Sequence, residues 1–283
     1  MQISIASGKG GTGKTTIATN LAYFLKKQNK TVTLLDCDVE EPNCHLFLHP
    51  TWTSTEKSTS KIPLVNMSKC IKCGRCGDIC HFGAIANIKD TVLVFPELCH
   101  GCGGCSIVCP TGAITESEKE IGDVQTGTAD GLEIVQGLLK VGEPMSPPLI
   151  RSVKKYANTD DEFVIVDCPP GTSCPVIESL KNSDFILLIT EPTPFGLNDL
   201  KLAVDVVNEL KIPFAVGINR STIGDSTVWD YCKEQNIPII LEIPHDRHIA
   251  RAYSEGILLL KALPQYEEKF TGILEHLQEV LPS

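Results

Sequence analysis

Apolar residues along the chain fall into short runs that predict buried strands, separated by stretches in which they recur at helical spacing. Residues 2–7, QISIAS, form one such run, and residues 31–36, TVTLLD, form another. Between them, the apolar positions from residue 14 to residue 28 recur every three or four residues. This order predicts a strand, a helix and a second strand, which is the unit from which parallel sheets are built.

The alternation resumes after residue 146, with a helix predicted near 147–157 and a strand at 163–167. Later strands are predicted at 185–190, 214–219 and 237–243, and later helices near 197–210, 225–235 and 265–280. Residues 49–62 are rich in Thr, Ser and Lys and are interpreted as a surface connection, whereas the glycines of residues 116–145 predict short strands and turns. One α/β domain that carries an insertion explains this pattern better than two domains in tandem.

The middle of the chain contains an internal repeat that is rich in cysteine. The segment CIKCGRCGDICHFGAI at 70–85 recurs as CHGCGGCSIVCPTGAI at 99–114, with an offset of 29 residues. Each copy has the spacing Cys-x2-Cys-x2-Cys-x3-Cys, which is typical of proteins that bind two [4Fe–4S] clusters. Because the fourth cysteine of each copy ligates the other cluster in that arrangement, two ligand sets are predicted. They are Cys70, Cys73, Cys76 and Cys109 for one cluster, and Cys99, Cys102, Cys105 and Cys80 for the other.

Zinc is the alternative for paired Cys-x2-Cys motifs. A zinc site needs four ligands and gives no reason for a third cysteine and the same x3 spacing in both copies, so iron–sulfur clusters are favoured. His81 stands where the second copy has Pro110, and we interpret the difference as a local change in the turn. Cys174, seven residues after Asp167, resembles in its position a cysteine that bridges a subunit-shared cluster in the nitrogenase iron protein. The resemblance raises the hypothesis of a third, shared cluster, for which a second cysteine is not identifiable.

A glycine-rich loop, GKGGTGKTT at residues 8–16, lies between the first predicted strand and helix. Backbone N–H groups of such a loop surround phosphate, and the positive end of the helix dipole adds to the attraction. In this motif Lys14 reaches the β- and γ-phosphates and the Thr15 hydroxyl binds Mg²⁺. The sequence therefore predicts an ATP site at this loop.

Two aspartates follow predicted strands at positions where they could serve that site. Asp38 lies 24 residues after Lys14, and Asp167 begins the segment Asp-Cys-Pro-Pro-Gly that ends at Gly171. Positioning and charge neutralisation are most of what phosphoryl transfer requires, and acids at the ends of strands could contribute to both. The alternative for each is a helix N-cap or a solvated loop carboxylate.

The loop GKGGTGKTT, the acidic segments and the cysteine repeat together resemble the MinD/ParA/Mrp and nitrogenase iron-protein class of P-loop ATPases, with an inserted dicluster ferredoxin domain. The resemblance implies a doubly wound, mostly parallel α/β sheet and an inserted α+β ferredoxin domain of bacterial type. It implies ATPase parts at 1–62 and 116–283, and a ferredoxin domain at 63–115. It also implies a nucleotide-dependent homodimer in which Lys9, the second lysine of the deviant Walker A loop, reaches the partner's nucleotide.

The site residues implied by the resemblance fall into two groups. The catalytic group is Lys9, Lys14, Asp38 and Asp167. The nucleotide-binding group is Gly8, Lys9, Gly10, Gly11, Thr12, Gly13, Lys14, Thr15, Thr16, Gly171, Asn219, Arg220, Pro244 and Asp246. Asn219, Arg220, Pro244 and Asp246 correspond to segments that hold adenine in this class, although Asp246 could instead cap the helix that starts at Arg247.

These features favour an ATPase that couples nucleotide state to electron transfer, with ATP, Mg²⁺ and two [4Fe–4S] clusters as cofactors. The alternatives are an iron–sulfur cluster assembly or carrier ATPase of the Mrp type and, with less support, a positioning or partitioning ATPase. An unidentified redox or cluster-acceptor protein is the expected partner. The formal charge of −10 argues against nucleic acid as the main partner. No run of eighteen apolar residues and no leader segment is evident, so we expect a cytoplasmic protein that does not insert into membranes.

Overall fold

A computed structural model of the protein describes residues 1–158 and 160–281. The strands are β1 (Gln2–Ala6), β2 (Val32–Asp36), β3 (Thr51–Val65), β4 (Ile85–Ile88), β5 (Thr91–Val94), β6 (Ile114–Ala129), β7 (Leu132–Leu139), β8 (Phe163–Asp167), β9 (Phe185–Thr190), β10 (Phe214–Asn219) and β11 (Ile239–Ile243). The helices are α1 (Lys14–Lys27), α2 (His45–Leu48), α3 (Arg75–Asp78), α4 (Gly104–Ile107), α5 (Pro147–Lys154), α6 (Cys174–Leu180), α7 (Pro194–Leu210), α8 (Thr227–Glu234), α9 (Arg247–Ser254), α10 (Leu259–Ala262) and α11 (Glu267–Val280).

The main sheet has nine strands in the order β11-β10-β9-β1-β8-β2-β7-β6-β3. Neighbours from β11 to β7 are parallel, and β6 and β3 continue the sheet in antiparallel fashion. Strand β1 lies between β8 and β9, so the order in which strands are added to the sheet reverses direction at β1. In sheets of this kind ligands bind beyond the carboxyl ends of the strands near such a reversal, and the glycine-rich loop follows β1.

Helices cover both faces of the sheet and form two apolar cores. One core packs α1 and α11 against the sheet, through residues such as Ile17, Leu21 and Phe270. The other packs α5, α7 and α8 against the opposite face, through residues such as Leu149 and Leu200. The parallel strands are therefore buried on both sides, which explains why they appear in the sequence as continuous apolar runs. The predicted mostly parallel α/β sheet is confirmed.

Two long strands replace the irregular segments predicted on either side of the cysteine repeat. The prediction of a surface connection at residues 49–62 was wrong, because β3 (Thr51–Val65) occupies them and pairs with β6 from Thr51–Thr128 to Val65–Ile114. Residues 116–145 likewise contain most of the 16-residue β6, which begins at Ile114, and all of the 8-residue β7, rather than several short strands. We call β3 and β6 together the arm.

The cysteine segment, residues 66–113, lies between the two strands of the arm and outside the main sheet. It contains the short helices α3 and α4 and the antiparallel hairpin β4–β5. Cys76, Ile85 and Val92 of this segment form a small apolar cluster with Ile114 of β6. The domain boundaries predicted at 62/63 and 115/116 fall inside β3 and β6, so the strand backbone is continuous across them. Within the described part of the chain, no helix is both long and apolar enough to cross a membrane.

Candidate functional site

The glycine-rich loop connects β1 to α1 and takes the backbone shape that phosphate binding requires. Gly11 and Gly13 have φ values of 79° and 96°, in the left-handed region that favours glycine. Gly13 also precedes the first turn of α1, and no side chain among residues 1–158 and 160–281 caps the free backbone N–H groups there. These N–H groups and the helix dipole are therefore available to an anion, as expected for a phosphate loop.

A cavity of about 440 Å³ lies beside this loop. Eleven of the residues predicted to serve the nucleotide site line it: Gly10, Gly11, Gly13, Lys14, Thr15, Thr16, Asp38, Asn219, Arg220, Pro244 and Asp246. Five others do not line it: Gly8, Lys9, Thr12, Asp167 and Gly171. The structure therefore brings together side chains that lie more than 200 residues apart in the sequence.

Three of the residues that do not line the cavity hold the loop in place. Gly8 is packed against the backbone of Asp199, where a Cβ atom would collide. The carbonyl oxygen of Thr12 accepts a hydrogen bond of 2.8 Å from Asn219 Nδ2. The backbone N–H of Gly171 donates to the Ser7 carbonyl oxygen at 3.0 Å. This last contact joins the segment after β8 to the start of the loop.

Asp38 and Asp167 lie close to the buried Lys14, whose positive charge lowers the pKa of both carboxyl groups. Burial has the larger and opposite effect: together with the charge of Asp167 it raises the pKa of Asp38 to about 6. Burial also raises the pKa of Asp167, although the nearby hydroxyl group of Thr15 and the charge of Lys14 oppose this. Oδ1 of Asp167 is buried and has no hydrogen-bond partner within the described residues. A water molecule bound to a cation beside Thr15 would donate that missing hydrogen bond.

Sequence reasoning overlooked a second buried carboxylate, Asp36, at the end of β2. Asp36 Oδ2 accepts hydrogen bonds from the backbone N–H groups of Asn43 and Cys44, both at 3.0 Å. Cys44 Sγ in turn donates to Asp167 Oδ2 at 3.4 Å. Asp36 thus fixes the loop that follows Asp38 against Asp167. An acid at the end of an otherwise apolar strand was the available signal, and it was attributed to Asp38 alone.

The far side of the cavity is formed by the ends of β10 and β11. Arg220 makes an ion pair of 2.8 Å with Glu191, whose side chain is largely buried. Asp246 accepts a hydrogen bond of 2.7 Å from the backbone N–H of His248 and is the N-cap of α9. The capping alternative considered for Asp246 is therefore correct, although the residue also lines the cavity.

The eight repeat cysteines gather into two groups of four. Cys70, Cys73, Cys76 and Cys109 line one cavity, and Cys80, Cys99, Cys102 and Cys105 line another. In each group three thiols come from one copy of the repeat and the fourth from the other copy. We call these groups the first and second tetrads. The remaining cysteines lie elsewhere: Cys37, Cys44, Cys168 and Cys232 are buried, and Cys174 is exposed at the start of α6.

Comparisons with known proteins agree with this fold. Residues 3–260 match the model of the CobQ/CobB/MinD/ParA nucleotide binding domain. An uncharacterized protein of Methanocaldococcus jannaschii is 35% identical over 285 residues, covering 99% of this chain and 98% of that protein. The iron-sulfur cluster carrier protein of Aquifex aeolicus is 24% identical, over 99% of this chain and 68% of its own length.

Among solved structures, the septum site-determining protein MinD from Pyrococcus horikoshii, complexed with Mg-ADP, is similar with a TM-score of 0.63. The match has 19% sequence identity and covers 99% of this chain and 97% of that one, so it supports the fold alone. The family match spans both the phosphate loop and the segments that line the far side of the cavity. The chain therefore belongs to the CobQ/CobB/MinD/ParA family of nucleotide-binding domains.

Proposed function

We propose that the protein is an ATP-hydrolysing iron–sulfur protein in which the nucleotide state is coupled to electron transfer through two [4Fe–4S] clusters. The observation that carries this proposal is the grouping of the eight repeat cysteines into two tetrads, each lining its own cavity. Four thiolates are the ligand set of a [4Fe–4S] cluster. In this proposal residues 63–115 act as a ferredoxin domain, and residues 1–62 and 116–283 form the ATPase.

The surroundings of the tetrads fit clusters. Backbone N–H groups donate to the sulfur atoms, from Lys72 to Cys70 at 3.4 Å and from Gly101 to Cys99 at 3.5 Å. These two bonds occupy the same place in the two copies of the repeat. Hydrogen bonds to sulfur and exclusion of solvent tune cluster potentials. A cluster in either tetrad would supply a one-electron centre, and the loop around it would set its potential.

ATP hydrolysis would use the residues of the 440 Å³ cavity. Loop N–H groups and Lys14 hold the phosphates, and Asp38 orients the attacking water. Thr15 would hold Mg²⁺ directly and Asp167 would hold it through water, which gives the unpartnered Oδ1 of Asp167 a hydrogen-bond donor. The bound metal would neutralise charge that develops on the phosphates. Asn219 keeps the loop in register through its bond to Thr12.

A continuous set of contacts could carry nucleotide-dependent movement to the cysteine segment. The backbone N–H of Leu139 donates to the Val39 carbonyl oxygen at 2.9 Å, so the segment after Asp38 is bonded to β7. Strand β7 pairs with β6, and β6 begins at Ile114, five residues after Cys109. A shift of residues 37–44 on hydrolysis would therefore act on the base of the arm.

We also propose that the active form is a nucleotide-dependent homodimer, in which Lys9 serves the partner's nucleotide. Lys9 is half-buried and does not line its own chain's cavity. Its backbone carbonyl oxygen accepts a hydrogen bond of 2.6 Å from Ser7 Oγ, which fixes the loop while leaving the ammonium group unpaired among the described residues. ATP-dependent dimerisation that disappears in Lys9→Ala would support this role.

A cluster carrier is the second candidate function, and two observations favour it. A relative with the printed name iron-sulfur cluster carrier protein aligns with 99% of this chain. In addition, Cys73 and Cys102 are exposed, one in each tetrad, so an acceptor could reach both. The carrier would bind clusters in the same tetrads but release them when ATP is hydrolysed.

Midpoint potentials of anaerobically reconstituted protein, measured with and without MgATP, test the leading proposal. A shift of several tens of millivolts would support coupling, because about 59 mV corresponds to a tenfold change for one electron. No shift, combined with ATP-stimulated transfer of iron and sulfide to an apo-ferredoxin, would replace electron transfer by the carrier function. Preparations that bind no iron would contradict both.

A further inference from the structure

The two cysteine loops differ in what covers them. The second loop, residues 99–105, packs on strand β3 of the arm. Cys99 Sγ lies 3.9 Å from the Lys61 carbonyl oxygen, and a Cβ atom on Gly101 would lie 3.1 Å from the same oxygen. Lys61 and Glu116, which form an ion pair of 3.0 Å across the arm, line the cavity of the second tetrad. The arm therefore shields this tetrad on one side.

The first loop, residues 70–76, rests instead on the small hairpin, where Asn87 Nδ2 donates to the Gly74 carbonyl oxygen at 2.9 Å. Three exposed basic side chains belong to this region: Lys69 directly before the loop, and Lys72 and Arg75 within it. Ile71 lies among them, is 63% exposed and lines the cavity of the first tetrad. We call Lys69, Ile71, Lys72 and Arg75 the basic rim.

The charge of the basic rim is only partly balanced. Lys72 pairs with Asp90 at 2.9 Å, but Asp90 is itself 90% exposed. Within the described residues, Lys69 and Arg75 form no ion pair. These positive charges stand out on a chain whose formal net charge is −10.

The repeat provides an internal comparison. With the offset of 29 residues, Lys69, Lys72 and Arg75 correspond to Leu98, Gly101 and Gly104 in the second copy. Both loops have the same cysteine spacing, so presenting three thiols does not require the basic side chains. They are therefore available for another role, and all three are exposed.

We propose that the basic rim is the docking surface for an electron-transfer protein with an acidic surface, which exchanges electrons with the first tetrad. This inference rests on the proposed function. Positive charges around a small apolar centre would steer an acidic partner and bring its redox centre near Cys70 and Cys73. One electron leaves a reduced centre and enters the other, and no bond or proton is transferred.

The test uses reconstituted full-length protein and, as the probe, an acidic plant-type [2Fe–2S] ferredoxin. The variant Lys69→Glu/Lys72→Glu/Arg75→Glu is compared with the control Lys155→Glu/Lys233→Glu/Lys269→Glu, whose three lysines are exposed outside the cysteine segment. Both triples change the net charge equally. Iron content and visible spectra are recorded for each protein, and electron exchange with the probe is followed by stopped-flow absorbance over a range of salt concentrations.

We expect the rim triple to slow electron exchange by about tenfold or more at low salt and to lose the salt dependence of the wild type, because steering depends on opposite charges. The control triple should behave like the wild type. Equal slowing in both triples would overturn the docking surface while leaving the clusters in place. Faster exchange of the wild type with the basic protein cytochrome c than with the acidic ferredoxin would do the same. Rim-dependent binding to anionic lipid vesicles or duplex DNA, without exchange with the ferredoxin, would also overturn it. A wild type without iron would overturn the proposed function and this inference together.

Discussion

Leu139 donates its backbone N–H to the carbonyl oxygen of Val39 at 2.9 Å. This bond joins the segment after Asp38 to strand β7, which pairs with β6 of the arm. Two residues before Leu139 in β7, Gly137 packs closely against Val39, and a Cβ atom on it would lie 2.5 Å from a methyl carbon of Val39. The absence of a side chain at residue 137 therefore allows the segment after Asp38 to lie in contact with β7.

Replacing Gly137 by alanine should destabilise the protein, because the added methyl group meets Val39, Val153 and Leu149. We expect a loss of about 1–3 kcal/mol in the free energy of unfolding, measured by urea denaturation. Gly272→Ala on α11 is the control: open space surrounds that position, and alanine favours a helix. If nucleotide signals travel through this contact, the MgATP-dependent shift in potential should also shrink in Gly137→Ala. Wild-type stability in Gly137→Ala would contradict the packing described.

The two tetrads predict which pairs of cysteine replacements affect one cluster and which affect both. Cys73→Ser/Cys109→Ser removes two thiols of the first tetrad and should leave about half of the iron, with one cluster signal in electron paramagnetic resonance. Cys73→Ser/Cys102→Ser removes one thiol from each tetrad and should reduce both signals. The control Cys174→Ser should keep all the iron. If Cys73→Ser/Cys109→Ser lost both clusters, as Cys73→Ser/Cys102→Ser should, then Cys109 would not belong with Cys73 and the assignment of the fourth cysteine of each copy to the other tetrad would be wrong.

Asn219→Ala should weaken nucleotide binding by loosening the phosphate loop, since its amide donates to the Thr12 carbonyl oxygen. We expect a loss of roughly 1 kcal/mol, which is about a fivefold weaker Kd. Isothermal titration calorimetry with MgADP measures it. Asn208→Ala, an exposed asparagine on α7, is the matched control. Equal affinity in both variants would mean that the Asn219 bond does not hold the loop.

Removal of Mg²⁺ tests the role given to Thr15. Chelation by EDTA should weaken ADP binding to the wild type, but should change little in Thr15→Ala, which has lost the hydroxyl ligand. Thr15→Ser retains a hydroxyl group and should keep the effect of EDTA. Titrations of the wild type and the two variants with ADP, with and without EDTA, measure the change in affinity. A Thr15→Ala protein that still responds fully to EDTA would show that the metal is held elsewhere.

The sequence by itself determined the features that depend on short stretches of chain. The strand before the phosphate loop, the left-handed glycines within it and the helix after it are local, because backbone conformation there follows from neighbouring residues. The strands at 163–167, 185–190 and 214–219 were located correctly because parallel strands buried on both faces leave unbroken apolar runs.

Only the tertiary structure decided the arm and the contacts around the cavity. Strand β3 is exposed along most of its length, so its Ser, Thr and Lys residues carry no apolar pattern, and its pairing partner β6 lies about fifty residues or more away in sequence. The hydrogen bonds that Asp36 accepts from Asn43 and Cys44, and the bond from Asn219 to Thr12, likewise depend on how the chain returns upon itself. Strand pairing and buried polar contacts are set by distant partners, and a linear pattern does not contain the position of those partners.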